Sequence, residues 1–408
     1  GAEPQLCHTN AEELAQVIEA YKGYEISHIE DWTWCSGGFC LFGFDLWTAP
    51  TVMFWARFAD ALWDDLTEDE HALILEKTGE RIDMYLALFE NRHWAVFNGN
   101  NWTPKLAAGA LAWAVAYYHE DPRAPEVAIL AMGSMWWHRS FWKADGAYEE
   151  GATYGFYSLL PVMQVVHLYD ASFGGGVHSV AWEHLTETSD WYRKVMSPDG
   201  SLLDFGDGHA KYGWDTLTPL YAALAPEWGQ QEPTEVDPCL ARDYWAFKYW
   251  NHGLEDPWFL DPSMARDWKS LIAQCDDVPP AQSVTTYPLG GWSFLQTHTP
   301  GVSGITDDLD PGSKLREADS TLLAASTVSN EYEHMEADFG TLIWAAYGSR
   351  LVADIGYGTQ AKDLYVTEVT AAGEVYDAVD NNAVGHTTLM IPEAIHPQAE
   401  SASNTSQI

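Results

Sequence analysis

The stretch DGAYEEGATYGFY, residues 145–157, combines side chains that could act on a sugar or pack in a core. A Glu-Glu-Gly turn ending at Gly151 precedes a helical pattern. On that helix, Tyr154 and Tyr157 would lie one turn apart on the same face. A phenol can exchange a proton, stack on a sugar ring or fill a core, and the stretch by itself leaves these roles open.

A second candidate is the asparagine-rich turn NGNNWTPK, residues 98–105, which precedes an apolar helical pattern. Amides at this position usually cap the helix or form the turn. The sequence Asn101-Trp-Thr is also an acceptor for N-glycosylation. The functional alternative is that Asn101 donates a hydrogen bond to a substrate carboxylate. Asn100 and Trp102 would then line the binding site beside it.

The most specific cluster is EYEHMEADFG, residues 331–340, which is predicted to be a strand. Strand alternation places His334 and Glu336 on one face. Burying carboxylates and an imidazole together is costly unless they are paired or bind a metal. With Asp354 and His386 downstream, Glu336 completes a candidate set for one divalent ion, zinc or calcium.

The elements that must position these residues are helical up to about residue 280. Residues 66–90 open with a Thr-x-x-Glu capping box and carry apolar residues at helical spacing. Residues 105–121 are apolar nearly all round, as in a helix buried among others. Residues 158–170 are also predicted to be helical, with Pro161 tolerated only in the first turns.

The pattern changes after Pro279-Pro280, which is predicted to be a linker. Short β-branched runs bounded by turns follow, including two strands joined at residues 348–350 and a further strand at 386–392. The sequence therefore predicts a helical domain at residues 1–280 and a β domain at residues 281–408. The β domain is small for a complete two-layer sandwich.

Composition limits the classes of partner. The 408 residues contain 20 Lys and Arg against 60 Asp and Glu, a net charge of −40, which disfavours nucleic acids and anionic membranes. Aromatic residues make up 14%, which suits either sugar stacking or a large helical core. No apolar run reaches the length of a membrane span. The five cysteines leave the redox compartment open, although Cys35 and Cys40 could form a local disulfide.

The order of these motifs resembles the heparinase II/III-like superfamily of polysaccharide lyases, which includes alginate and glycosaminoglycan lyases and is related to dermatan sulfate epimerase. The asparagine turn, DGAYEEGATYGFY, DFGDGHAKYG at residues 204–213, HMEADFGTLIWAAYGSRLVADIGYG and GHTTLMI occur in the family's order across most of the chain. The resemblance implies a multidomain α+β protein, with an N-terminal (α/α) toroid of helix pairs followed by an antiparallel β-sandwich.

The resemblance also implies β-elimination at a uronate, which leaves a 4,5-unsaturated sugar. One group neutralises the C5 carboxylate, a base removes the C5 proton, and an acid protonates the leaving O4. By position, Asn101 is similar to the neutralising group, Tyr154 to the catalytic tyrosine and His334 to a histidine of the β domain. Tyr157, one turn after Tyr154, is expected to line the substrate-binding cleft or to pack behind it. Glu336, Asp354 and His386 fall at the positions where several members of the family hold a structural metal.

Two departures from the family pattern affect the assignment of roles. Relatives often have Asn-His at this turn, where this chain has Asn100-Asn101-Trp102, so the base is expected to be Tyr154, His334 or another tyrosine such as Tyr365. Glu336 stands where relatives often have His, which favours a harder ion than zinc.

A tyrosine that acts near neutral pH needs positive charge close by. Arg139, Lys143, Lys211 and His209 could supply it and could also bind an anionic sugar. For each of them, ordinary surface charge is the alternative.

The predicted function is cleavage of a uronate-containing anionic polysaccharide, alginate or a glycosaminoglycan. The alternatives are a uronyl C5-epimerase on the same scaffold and a non-catalytic carbohydrate-binding protein. A hydrolase would need two opposed carboxylates, for which Glu150 with Asp204 or Asp207 is a thin candidate set. The protein is expected to be secreted or periplasmic, and a homodimer is left open.

Overall fold

The computed structural model describes residues 11–29, 43–174, 188, 191, 195, 203, 205, 283–296, 321–326, 340–346 and 349–352. Its helices are α1 (Ala11–His28), α2 (Thr48–Ala61), α3 (Glu68–Glu90), α4 (Trp94–Phe97), α5 (Trp102–Ala116), α6 (Ala124–His138) and α7 (Gly151–Phe173). Its strands are β1 (Ser283–Tyr287), β2 (Trp292–Gln296), β3 (Thr321–Ser326), β4 (Leu342–Ala346) and β5 (Ser349–Val352). The chain is therefore α+β, with helices preceding an antiparallel sheet.

The chain divides into two compact units, Gly1–Phe97 with Lys105–Ser134, and Asn98–Pro104 with Met135–Ile408. In the first unit, the indole Nε1 of Trp113 on α5 donates to Thr78 Oγ1 on α3 at 3.0 Å. A Cβ at Gly109 would lie 2.3 Å from the carbonyl oxygen of Ala49, so glycine lets the backbones of α5 and α2 approach closely.

The predicted capping box begins α3 as expected. The backbone N–H of Glu70 donates to Thr67 Oγ1 at 3.3 Å, and that of Thr67 donates to Glu70 Oε2 at 2.7 Å. These bonds satisfy donors that the first turn of a helix leaves unpaired.

The five strands pair in chain order, β1-β2-β3-β4-β5, and each pair is antiparallel. Alternate residues of β2, beginning with Trp292 and Phe294, are buried. Trp292 contacts Phe205 and Trp191, with ring centroids 4.8 and 5.7 Å apart. One face of the sheet thus packs on an aromatic core of the second unit.

Two predicted helices have different limits in the structure. The helix expected at 105–121 begins at Trp102 and ends at Ala116. Turns follow before Pro122, in which the Tyr118 N–H donates to the carbonyl oxygen of Val115 at 3.4 Å and the Glu120 N–H to that of Tyr117 at 3.2 Å. Pro161 was expected in the first turns of its helix, which is wrong, since α7 begins at Gly151 and Pro161 lies in its interior.

The predicted strand pair near residue 348 is confirmed as β4 and β5, and the second strand begins at Ser349. The linker at Pro279-Pro280, the strand at 386–392 and all five cysteines lie outside the described residues. Among the described helices, none is both long enough and apolar enough to cross a membrane.

Candidate active site

The asparagine turn is built on a glycine that backs directly onto the end of α6. Gly99 has a φ of +86°, and a Cβ at this position would lie 2.5 Å from the carbonyl oxygen of Trp137. Asn100 and Asn101 are buried, each with 1% of its surface exposed. Asn100 Oδ1 accepts a hydrogen bond from the backbone N–H of Trp102 at 3.1 Å. The first amide therefore forms the turn at the start of α5, as a cap does.

His138, the last residue of α6, contacts the backbone carbonyl groups of this turn. Its Nδ1 lies 2.6 Å from the carbonyl oxygen of Gly99 and 3.2 Å from that of Asn100. Its Nε2 accepts a hydrogen bond from the indole Nε1 of Trp142 at 3.0 Å. Because an indole N–H can only donate and a carbonyl can only accept, the ring carries its proton on Nδ1. Burial lowers the pKa of His138 to about 4, so it is neutral at physiological pH.

A tight hairpin connects α6 to α7. Trp142 and Tyr148 form an antiparallel bridge, and the Lys143 N–H donates to the carbonyl oxygen of Ala147 at 2.9 Å. Gly146, with a φ of +88°, lies in the turn, and Gly151, with a φ of +83°, begins α7. Both glycines occupy backbone conformations that residues with a Cβ rarely adopt. The sequence prediction of a turn and a glycine-permitted helix start is confirmed.

The carboxylate of Glu150 joins the asparagine turn to the start of α7. Its Oε2 accepts the backbone N–H of Asn101 at 2.9 Å, and its Oε1 accepts the side-chain Nδ2 of Asn101 at 3.3 Å. The hydroxyl of Tyr148 donates to the same Oε2 at 2.6 Å and lies 2.9 Å from Ser158 Oγ. Glu150 is 1% exposed, and these three donors compensate its burial.

The two predicted tyrosines lie on the first turns of α7, immediately after this carboxylate. Tyr154 is half-buried, and Tyr157 is 44% exposed. Their ring centroids are 6.4 Å apart, with 52° between the ring planes. The predicted one-turn spacing is confirmed, and the partial exposure of both rings leaves phenolic surface for a ligand.

Two of the predicted cations are described, and each already has a partner. The Lys143 ammonium pairs with Glu149, so binding a sugar carboxylate would require Lys143 to exchange that partner. The Arg139 guanidinium carbon lies 5.6 Å from the ring centroid of Trp136, which is 60% exposed. Arg139 and Trp136 thus form a cationic and aromatic surface at the end of α6.

Asp145 ties the hairpin to the sheet. Its Oδ2 accepts backbone N–H groups from Leu289 at 2.7 Å and Gly290 at 3.1 Å, in the turn between β1 and β2. A Cβ at Gly290 would lie only 2.0 Å from the Cβ of Ala147. The hairpin that leads to Tyr154 is therefore packed directly against the β1–β2 turn.

The remaining predicted site residues lie outside the described residues, so their placement stays a prediction. They are the catalytic candidates His334 and Tyr365, the binding candidates His209 and Lys211, and the metal set Glu336, Asp354 and His386. Within the described part of the chain, no three His, Cys, Asp or Glu side chains form a group that could hold a metal ion.

Sequence reasoning missed the supporting role of His138. It assigned Glu150 to a turn and to a candidate pair of hydrolase carboxylates, and not to a contact with Asn101. His138 lies in the run WWHRSFW, where helical periodicity does not show that the imidazole faces another loop. The link between Glu150 and Asn101 spans 49 residues, and no local pattern encodes such a contact. A charged residue directly before the helix-starting Gly151 was the available signal.

Comparison with known proteins supports the fold. No protein-family model and no curated protein matches the sequence. A crystal structure of heparinase III matches 95% of this chain and 52% of its own length, with a TM-score of 0.57 and 13% identity. A second heparinase III structure matches 92% of this chain and 53% of its own, with a TM-score of 0.56 and 12% identity. The chain thus spans about half the length of these structures.

At this level of identity the match establishes the fold. The resemblance to heparinase-like polysaccharide lyases predicted from the motifs is therefore confirmed as a shared fold.

Proposed function

We propose that the chain is the lyase part of a polysaccharide lyase that cleaves a uronate-containing anionic polysaccharide by β-elimination. One observation carries this proposal. The buried carboxylate of Glu150 binds both the backbone and the side-chain amide of Asn101 at the point where the helix bearing Tyr154 begins. The group proposed to neutralise charge is thus bound to the residue that directly precedes the helix carrying the proposed proton-transfer group.

In the proposed reaction, Asn101 donates to the C5 carboxylate of the uronate and makes the C5 proton easier to remove. A base takes that proton, the C4–C5 double bond forms, and the C4–O4 bond breaks. Tyr154 protonates the leaving O4. The base is Tyr154 itself, His334 or Tyr365. Because Asn101 is 1% exposed, contact with a sugar requires the side chains that cover it to move.

The polysaccharide is alginate or a glycosaminoglycan. Two structural neighbours are named heparinase III, which supports including heparan-type glycosaminoglycans among the candidate substrates. The net charge of −40, with 20 basic residues in 408, favours polymers of low sulfation, since sulfate recognition relies on Arg and Lys. We expect a substrate whose charge is mainly carboxylate.

The finer architecture is proposed to be an (α/α) toroid followed by a β-sandwich. An apolar row crosses the face of the sheet opposite to Trp292, and successive strand pairings connect its members. The row comprises Val284, Leu295, Leu323, Trp344 and Val352. A continuous apolar row of this kind is expected where a second sheet covers the first.

Several associated features remain proposals. One structural divalent ion would be held by Glu336, Asp354 and His386. The role of this ion would be structural, since it would cross-link strands of the β domain. A secreted or periplasmic location and a homodimer are further expectations, which fractionation and light scattering would test.

The structure bears on one of the alternatives. Both oxygens of Glu150 are occupied by donors inside the fold, which disfavours Glu150 as a catalytic carboxylate of a hydrolase. A uronyl epimerase would use the same proton abstraction and is the second candidate. A carbohydrate-binding protein would need none of the proton-transfer groups.

The test is ultraviolet absorbance of the new double bond with a panel of alginate, hyaluronan, chondroitin and heparan sulfate. Wild type, Tyr154→Phe and Tyr157→Phe are compared. Wild type should cleave one polymer, Tyr154→Phe should lose activity by about 100-fold or more, and Tyr157→Phe should retain most of it. Equal activity of wild type and Tyr154→Phe would exclude Tyr154 as the acid.

A further inference from the structure

We propose that Glu150 is a positioning residue that fixes the orientation of the Asn101 side-chain amide, so that its nitrogen and not its oxygen is available to the substrate. This inference rests on the proposed role of Asn101 in binding the uronate carboxylate. It concerns Glu150, a residue that contacts Asn101 and Tyr148 but has no proposed contact with the sugar.

The two carboxylate oxygens have separate partners. Oε2 accepts the Asn101 backbone N–H at 2.9 Å, and Oε1 accepts Nδ2 of the Asn101 side chain at 3.3 Å. An ionised carboxylate can only accept hydrogen bonds. Turning the Asn101 amide by 180° would bring Oδ1 against Oε1, with two acceptors facing each other. The carboxylate therefore selects one orientation of the amide.

Glu150 is itself held in place from α7. The Tyr148 hydroxyl bridges Glu150 Oε2, at 2.6 Å, and Ser158 Oγ, at 2.9 Å, and both Tyr148 and Ser158 are buried. Ser158 lies four residues after Tyr154 on α7, one helical turn away. The orientation of Asn101 is thereby fixed relative to the helix that carries the proposed acid.

The variant Glu150→Gln separates orientation from packing. Glutamine has the same shape, and its oxygen can replace Oε2 as acceptor for the Asn101 N–H and the Tyr148 hydroxyl. Its amide nitrogen would then replace Oε1 and face Asn101 Nδ2, donor against donor. Asn101 relieves this conflict by turning its amide, which puts an acceptor where the substrate carboxylate needs a donor.

Glu149→Gln is the matched control. Glu149 precedes Glu150 in the chain, is also buried at 8% exposure, and pairs with Lys143. Both variants remove one buried negative charge from adjacent positions. They differ in whether that charge contacts Asn101.

The first measurement detects the hydrogen bond between Glu150 and the Asn101 side-chain amide and does not depend on enzymatic activity. Side-chain amide resonances of ¹⁵N-asparagine protein are recorded by NMR, with Asn101 assigned by its loss in Asn101→Ala. One Asn101 Nδ2 proton should be shifted downfield in wild type and in Glu149→Gln, and should return toward free-amide values in Glu150→Gln. An Asn101 signal that is unchanged in Glu150→Gln would overturn the proposal, whatever reaction the protein catalyses.

The second measurement is kinetic and uses the polymer that wild type cleaves. Glu150→Gln should lower kcat by about 100-fold, the effect of a lost or misplaced donor, and Glu149→Gln should stay within roughly threefold of wild type. In an Asn101→Ala background, Glu150→Gln should cause no further loss of kcat. A further loss as large as in wild type would show that Glu150 acts independently of Asn101, and would overturn the proposal.

These measurements separate the two ways of failing. Absence of cleavage by wild type on every polymer would refute the proposed function, while the NMR comparison would still decide whether Glu150 orients Asn101.

Discussion

His138 is fully buried behind the asparagine turn, and its burial makes the stability of the fold depend on pH. The structure lowers its pKa from 6.5 to about 4. Between these values the unfolded chain binds a proton that the folded chain does not, so stability falls as pH falls from 6.5 to 4. The pH-dependent contribution is about 3 kcal/mol.

Replacing His138 by Gln should therefore flatten this part of the stability profile. His138→Gln should also lower the free energy of unfolding at pH 7 by about 1–3 kcal/mol, because the backbone carbonyls and the Trp142 indole lose a matched partner. Urea unfolding at pH 7 and at pH 4.5 measures both effects. His119→Gln, at an exposed position, is the control and should keep the wild-type profile. If the pH dependence of stability in His138→Gln equals that of wild type, the pH-dependent stability does not come from His138.

At the residue scale, the sequence indicates candidate side chains more readily than it indicates their partners. Asn101 and Tyr154 follow from their positions beside helix starts and from the order of the motifs. The partner of Asn101 does not, because Glu150 reaches it only through the packing of the hairpin against the turn. A charged side chain and an amide 49 residues apart carry no mutual signal in one sequence.

At the scale of elements, the hairpin of residues 142–148 depends on close contact with the β1–β2 turn. A methyl group at Gly290 would overlap with that of Ala147, whose Cβ would lie 2.0 Å away. Gly290→Ala should lower the free energy of unfolding by about 1–3 kcal/mol. Gly133→Ala on α6, where no atom lies within 4 Å of the new Cβ, should be neutral or stabilising by up to about 1 kcal/mol.

A compensating change tests the cause of this effect. Ala147→Gly removes the opposing methyl group, so the double variant Gly290→Ala/Ala147→Gly should recover part of the loss in thermal unfolding. Equal stability of the Gly290→Ala and Gly133→Ala variants would contradict the close packing of the hairpin against the sheet.

The outer face of the sheet gives a second prediction about elements. Leu323 lies in the apolar row and is 38% exposed, whereas Leu289 lies in the β1–β2 turn and is 59% exposed. If a second sheet covers the row, Leu323→Lys should cost about 1.5–3 kcal/mol and Leu289→Lys close to nothing. Thermal unfolding of the two variants compares them. Two equally harmless substitutions would show that solvent covers this face.

Element types were predictable wherever a long periodic pattern or a specific cap was present, as in α3 with its capping box. Limits were less predictable. The turn before Gly151 indicated where α7 begins, but the separate helical pattern at residues 158–170 did not show that both belong to one helix with Pro161 in its interior. Tertiary packing stabilises this helix where local propensity does not.

At the scale of the whole molecule, the net charge of −40 opposes an anionic substrate. At low ionic strength this repulsion extends over tens of ångströms, and at about 0.1 M salt it is screened beyond roughly 10 Å. The specificity constant kcat/KM on the preferred polymer should therefore rise as salt is added from low ionic strength, and then level off. A steep fall with salt would instead indicate binding dominated by a cation-lined groove.

The measurement that tests the central claim most directly is analysis of the product formed in D₂O. Wild type should release oligosaccharides with a C4–C5 double bond at the new end, and the uronates that remain uncleaved should carry no deuterium at C5. Tyr154→Phe should release none above about 1% of the wild-type amount. Deuterium at C5 with no double bond would identify an epimerase, and unchanged polymer under all conditions would contradict the proposed lyase activity.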